Sequence, residues 1–242
     1  MNKSELYAAI DKLRLNLDYD NARPISSFEL FSRCRNILLY ENDFKTTGLR
    51  GMVFIGDISK PHVIILNSNR NIVEKNYDEA HELMHIFFHR NISLQTFQCI
   101  DSPKFTQNSY LEWQANEGAA ELLVPYRALL PLVKEMYCGY FEAEKTFGLH
   151  PFCEWASQKF FVTARVIEIR LNSLKYEIDQ YLNGVPIDNI QILSNNQQQK
   201  RGIIVQSLAE KEDIKLSKAL LDWQTNRLLS NTTCTETHFD VV

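Results

Sequence analysis

His81-Glu82-Leu83-Met84-His85 sets two imidazoles four residues apart, with a carboxylate directly after the first. On an α-helix, residues i and i+4 stand one above the other, so both rings can reach one ion. Glu82 is placed to reach a water held by that ion without displacing it. The ion expected of two imidazoles with an open position is Zn2+. Zinc acidifies such a water and polarises a scissile carbonyl; Glu82 takes the proton and passes it to the leaving amine. In a chain with 6 His and 18 Glu among 242 residues, roughly 0.01 matches of this kind are expected by chance.

A catalytic zinc needs a third protein ligand. The metzincin pattern would place Gly at 88 and His at 91, where this chain has Phe88 and Asn91. A glutamate from a following helix is the alternative, and residues 109–121 offer Glu112, Glu117 and Glu121. Glu112, Ala115, Ala119 and Leu122 recur at helical spacing, and the small residues on that face let another helix approach closely. Glu117 and Glu121 share a different face, read as solvated. Ser109-x-x-Glu112 also fits a capping box, in which Glu112 would bond only a backbone amide. Spacing alone leaves both roles of Glu112 open.

The elements that must carry these residues follow from pattern. Leu6, Ile10, Leu13 and Leu17 line one face of a helix over 4–17, with Ser4 as its cap. Ser26-Ser27-Phe28-Glu29 reads as a capping box opening a second helix, whose stripe runs through Leu30, Phe31, Cys34, Ile37 and Leu38. Gly51–Ile55 and His62–Leu66 read as a hairpin or two neighbouring strands. His62–Leu66 is the candidate edge along which an extended substrate would pair, although its poor alternation equally fits a buried central strand. The active helix is expected from about Asn76 to His89, an irregular stretch over 91–108, and a further helix from Tyr110 to Val124, ended by Pro125. Residues 126–182 read as mainly helical, Asn195–Gln199 as a polar loop, 207–229 as a helix and the last dozen residues as a loose tail.

Composition bounds the function. A net charge of -4 gives no global basic field for nucleic acid or anionic lipid. The longest apolar runs are strand-sized, which predicts no membrane span, and no signal-peptide core follows Met1. The cysteines, Cys34, Cys99, Cys138, Cys153 and Cys234, are odd in number and form no C-x-x-C pair. Reduced thiols in a cytoplasmic protein are expected, with Cys99 in a plain apolar role. His89, one turn past His85, reads as a supporting residue, an alternate ligand, or a partly exposed helix-end histidine. Tyr110, Tyr126 and His150 are candidate oxyanion stabilisers.

HELMH followed by Glu112-Trp-Gln-Ala-Asn-Glu-Gly-Ala-Ala-Glu-Leu-Leu-Val-Pro125 resembles the ImmA/IrrE family of metallopeptidases over roughly residues 20–175. The resemblance implies zinc held by His81, His85 and Glu112, with Glu82 as catalytic base. It implies an α+β fold, mainly helical around a small sheet. It also implies limited proteolysis of a regulatory protein, typically a helix-turn-helix repressor of stress or mobile-element genes. The family usually has Gly where Met84 stands and Phe-Thr where Tyr77-Asp78 stand, so altered packing beside the site is expected. Residues 155–171 have the rhythm of a helix-turn-helix, with Thr163 as a cap and Arg165 and Arg170 as basic residues. That segment reads either as a DNA- or repressor-contacting element or as a helical packing unit. The expected division is a peptidase core over 1–130, a helix-turn-helix-like segment over 131–182, and an extension over 183–242 with no motif. Two rival classes are a zinc-containing binding protein that modulates a transcription factor without cutting it, and an inert remnant whose site no longer binds metal.

Overall fold

The computed structural model describes residues 1–92, 96–100, 108–137, 148–214, 217–218 and 221–222. Cys138, Cys234, His238, Trp223 and the expected terminal tail lie outside them. The fold is α+β: a four-stranded mixed sheet with a larger helical body.

Helix α1 (Lys3–Asn16) begins at an Asn2 cap rather than at Ser4: the Asn2 side chain accepts from the Glu5 amide and Glu5 returns the bond. Helix α2 (Ser27–Phe31) has the expected Ser26 cap but ends at Phe31. Asn36 adopts a left-handed conformation (φ 65°) and breaks the anticipated stripe. Ile37 and Leu38 therefore belong to strand β1 (Ile37–Asn42), which runs parallel to β3 (His62–Asn67).

Strand β2 (Leu49–Phe54) pairs antiparallel with β3, and β4 (Thr96–Ile100) pairs antiparallel with β2. The order β1-β3-β2-β4 makes β3 a central strand, with Ile64 and Leu66 buried. This rules out His62–Leu66 as a substrate edge: β1 and β2 take up its two sides, and its opposite face, with Val63 and Ile65, is only half-buried. The outer strands are β1 and β4, the latter inside the stretch expected to be irregular. The two buried residues of β4, Phe97 and Cys99, are too few for an alternation to register in the sequence.

Helix α3 (Ile72–His89) starts four residues earlier than expected, from a capping box made by Asn71 and Glu74. It packs on the sheet and on α4 (Ser109–Leu123). The close approach of the two helices depends on Gly118, where a Cβ would stand 3.0 Å from the Met84 sulfur. The bulk of Met84 is thus matched by a missing side chain on the facing helix. Helix α4 is capped by Asn108, whose Oδ1 accepts from the Tyr110 amide at 3.1 Å. Glu112 takes no part in the cap and its side chain is available elsewhere.

Helices α5 (Tyr126–Met136), α6 (Leu149–Phe160), α7 (Ala164–Ser173) and α8 (Lys175–Leu182) follow. Thr163 caps α7 as expected, accepting from the Val166 amide at 3.3 Å. Arg170, however, is fully buried and grips Glu117 at 2.9 Å and Glu121 still more closely. This removes Arg170 from any nucleic-acid surface and corrects the reading of Glu117 and Glu121 as solvated. The tract at 195 is a short helix, α9 (Asn195–Lys200), rather than a loop, because Ser194 and Gln197 cap it reciprocally. Of the helix expected over 207–229, the described residues 208–214, 217–218 and 221–222 are helical. One hydrophobic cluster includes residues from Leu6 to Leu208, and a buried Lys3–Glu177 ion pair of 2.9 Å ties α1 to α8.

Candidate metal centre

Helix α3 delivers His81 and His85 to one face, where their Nε2 atoms stand 3.2 Å apart. Glu112, in the first turn of α4, closes the third side. Its Oε2 is 3.4 Å from His81 Nε2, and its Oε1 is 3.8 Å from His85 Nε2. One donor atom from each of the three residues falls within 4.8 Å of the other two. Both histidines are fully buried, and Glu112 is 14% exposed, so the cluster opens on its side.

The outer hydrogen bonds decide which nitrogens carry protons. His81 Nδ1 faces the Asn116 side-chain oxygen at 3.1 Å, so it must donate. His89 Nε2 faces the Gln114 side-chain oxygen at 3.1 Å and must also donate. Burial pushes the pKa of His89 down, which keeps that ring neutral and leaves a lone pair on its Nδ1. His85 Nδ1, 2.9 Å away, therefore donates to it. The His85 ring is also stacked on Phe97, with centroids 4.1 Å apart. Both Nε2 atoms are left with lone pairs aimed at each other and at the Glu112 carboxyl. Burial, and then the neighbouring His81 and His89, push the His85 pKa far down, so protonation of that ring does not relieve the crowding.

Glu82 adds to the imbalance. It is fully buried and neither oxygen has a hydrogen-bond partner among the described residues. A Cβ on Gly51 of β2 would stand 3.1 Å from Glu82 Oε1, so the glycine makes room for the carboxyl against the sheet. Burial raises the Glu82 pKa well above its ordinary value, and the charges of Glu112 and Asp78 raise it further; Arg50 acts in the opposite sense. Converging lone pairs, a facing carboxyl and an orphaned buried acid fit a cation at this point.

The structure thus brings His81, Glu82, His85 and Glu112 together. His89 is buried and braces His85, rather than being partly exposed. Asn116 and Gln114 escaped the sequence reading, although Asn116 stands one turn after Glu112. Tyr77, one of the departures, donates from its hydroxyl to the Asn116 carbonyl at 3.1 Å. Asp78, the other, pairs with Arg70 at 2.5 Å. Of the oxyanion candidates, Tyr110 connects to the cluster through Gln114, and Tyr126 stacks on Tyr7 beside the Arg170 ion cluster. His150 lies at the exposed start of α6.

A paired-histidine helix with a glutamate from the next helix, above a small sheet, is the arrangement of a metallopeptidase-type domain. Residues 33–172, more than half of the chain, match the Peptidase_M78 family, described as the IrrE N-terminal-like domain. The chain belongs to that family. No curated protein matches it.

Proposed function

We propose that the chain is a zinc-dependent endopeptidase that makes a limited cut in a regulatory protein. The reading rests on one observation above all: three potential metal-donor groups converge beside a buried carboxyl that has no hydrogen-bond partner among the described residues. In this reading His81, His85 and Glu112 hold Zn2+, and Glu82 is the catalytic base. Two imidazoles and one carboxylate suit zinc, which would supply Lewis-acid polarisation of the scissile carbonyl and acidify water.

The remaining work falls to the chain's own groups. Asn116 and His89 fix the tautomers of His81 and His85, keeping both Nε2 atoms free of protons. Glu82 takes a proton from the attacking water on a carboxyl oxygen and returns it to the departing nitrogen. Strand β4 has β2 on one side and no strand on the other among the described residues, and Phe97 and Cys99 are on its buried face. An extended peptide pairing with that edge would lie beside the histidines. Helix α7, within the segment that resembled a helix-turn-helix, acts as a brace, since Arg170 anchors it to α4.

No helix among the described residues is long and apolar enough to cross a membrane. We infer a cytoplasmic enzyme whose partner is a helix-turn-helix repressor of stress or mobile-element genes, cut in an exposed linker that can become extended without unfolding a core. The test mixes zinc-loaded protein with the repressor encoded beside its gene and follows fragment masses. Wild type should yield one cut; Glu82→Gln should keep its zinc and yield none. Tight association without cleavage in both proteins would instead support a non-cleaving binder.

A further inference from the structure

Cys99 stands on β4, buried, facing α3. Its sulfur, one Glu82 oxygen and one His81 nitrogen fall within 4.8 Å of one another, as do the donor atoms of His81, His85 and Glu112. That spread is close to twice a metal–ligand bond of roughly 2.0–2.3 Å, so small side-chain rotations would seat one ion. A buried cysteine alone would be inert packing. Here it adjoins a fully buried carboxyl with both oxygens unpartnered. The two groups have no hydrogen bond to each other that would account for their proximity.

We propose that His81, Glu82 and Cys99 form a second, alternative metal position, selective for soft divalent cations such as Cd2+, and that its occupancy blocks the enzyme. The two positions share His81. Its Nδ1 is committed to Asn116 at 3.1 Å, so its single free nitrogen serves one ion at a time. The second position replaces an imidazole and a carboxylate by a thiolate and a different carboxylate, and a thiolate favours soft ions most. Binding breaks the Cys99 S–H bond, forms a sulfur–metal bond and releases the proton to solvent. An ion held there takes up Glu82, which is then lost as a base. The blocking part rests on the proposed role of Glu82; the metal position itself does not.

The experiment titrates the full-length, metal-free protein with CdCl2 and follows the ultraviolet thiolate-to-cadmium charge-transfer band. Wild type should show a component saturating at one ion per chain. Cys99→Ser, checked for folding by circular dichroism, should lose that component, whatever the other cysteines contribute. Glu112→Ala should keep it while losing zinc. In the zinc-loaded enzyme, cadmium should abolish repressor cleavage, and Cys99→Ser should need at least tenfold more cadmium. A band unchanged in Cys99→Ser, or cadmium binding lost in Glu112→Ala and intact in Cys99→Ser, would overturn the second position. A protein that binds cadmium through Cys99 yet cleaves no substrate would sink the peptidase proposal and leave this metal position standing.

Discussion

Two polar clusters flank α4, one with Glu117 and Glu121, the other with Glu112 and with Glu82 of α3, and they differ in where the countercharge comes from. On one side, Glu117 and Glu121 meet the Arg170 guanidinium and the Tyr7 hydroxyl. Burial raises the Glu117 pKa, but Arg170 and Lys3 outweigh it and leave the group below its ordinary value. Burial pushes Glu121 up to about 8 despite the same guanidinium. The two carboxyls that share this guanidinium are thus shifted in opposite directions. On the other side, neither Glu82 oxygen has a hydrogen-bond partner among the described residues, although the Arg50 charge acts on the group, and Glu112 faces His81 and His85. The first cluster has its own guanidinium, with Glu121 Oε1 left without a hydrogen-bond partner. The second brings the donor atoms of His81, His85 and Glu112 together where the first has a guanidinium, which is how a candidate metal centre differs from a structural ion network.

The sharpest way to break the comparison is to remove the cation that the first cluster does have. Arg170→Met should leave two acids buried without a partner and cost about 3–5 kcal/mol in denaturant unfolding of the metal-free protein. Adding Glu117→Gln and Glu121→Gln should recover much of that loss, and the triple variant keeps the test readable if the single one does not fold. A loss near zero in Arg170→Met would mean that the cluster is not closed by this guanidinium. The matching change in the second cluster should act the other way. Glu112→Ala should leave the metal-free protein about as stable as wild type. Its zinc affinity should fall by more than the roughly 10–100-fold that loss of a supporting hydrogen bond causes. Equilibrium dialysis measures this, and unchanged affinity would remove Glu112 from the metal set.

The two clusters were not equally legible in the sequence. His81, Glu82 and His85 could be read because one helix carries all three at fixed spacing. Glu112 could be aligned with them only by resemblance, since Ser109-x-x-Glu112 offered a capping role that Asn108 in fact fills. Arg170 lies 49 residues from Glu121, and nothing local in 155–171 marks its guanidinium as buried. Strand β4 escaped notice because it is short, and the pairing that makes it a strand comes from β2. Spacing within one helix is visible in sequence; partners supplied by the tertiary fold are not.

A smaller effect tests how the second cluster is prepared for its cation. His89→Ala removes the acceptor that holds the proton on His85 Nδ1, and Gln114→Ala removes the group that orients His89. Each should weaken zinc binding about 10–100-fold. His89→Gln, which can still present an oxygen toward His85, should recover part of the loss. Equal loss in His89→Gln and His89→Ala would point to packing rather than to the hydrogen bond.

The smallest effect concerns the proton retained by the first cluster. Glu121 faces Arg170 from α7, Asp11 and Arg14 from α1, and the Tyr126 amide at the start of α5. Its folded pKa is raised to about 8 from a model-peptide value of 4.5. Below 4.5 both folded and unfolded chains hold the proton, and the group contributes no pH dependence. Between that value and about 8 the unfolded chain releases a proton that the folded chain keeps, so stability falls as pH rises. One retained proton sets a limiting slope of roughly 1.4 kcal/mol per pH unit. Other buried acids, Glu82 among them, add slopes of the same sign, so the absolute curve does not isolate Glu121. The difference between wild type and Glu121→Gln does, because glutamine is fixed in the neutral form. Urea unfolding of both proteins in chelator, from pH 5 to 8, should show the wild type losing stability faster than the variant. Parallel curves would mean that Glu121 is ionised in the folded chain and that the cluster carries a net negative charge.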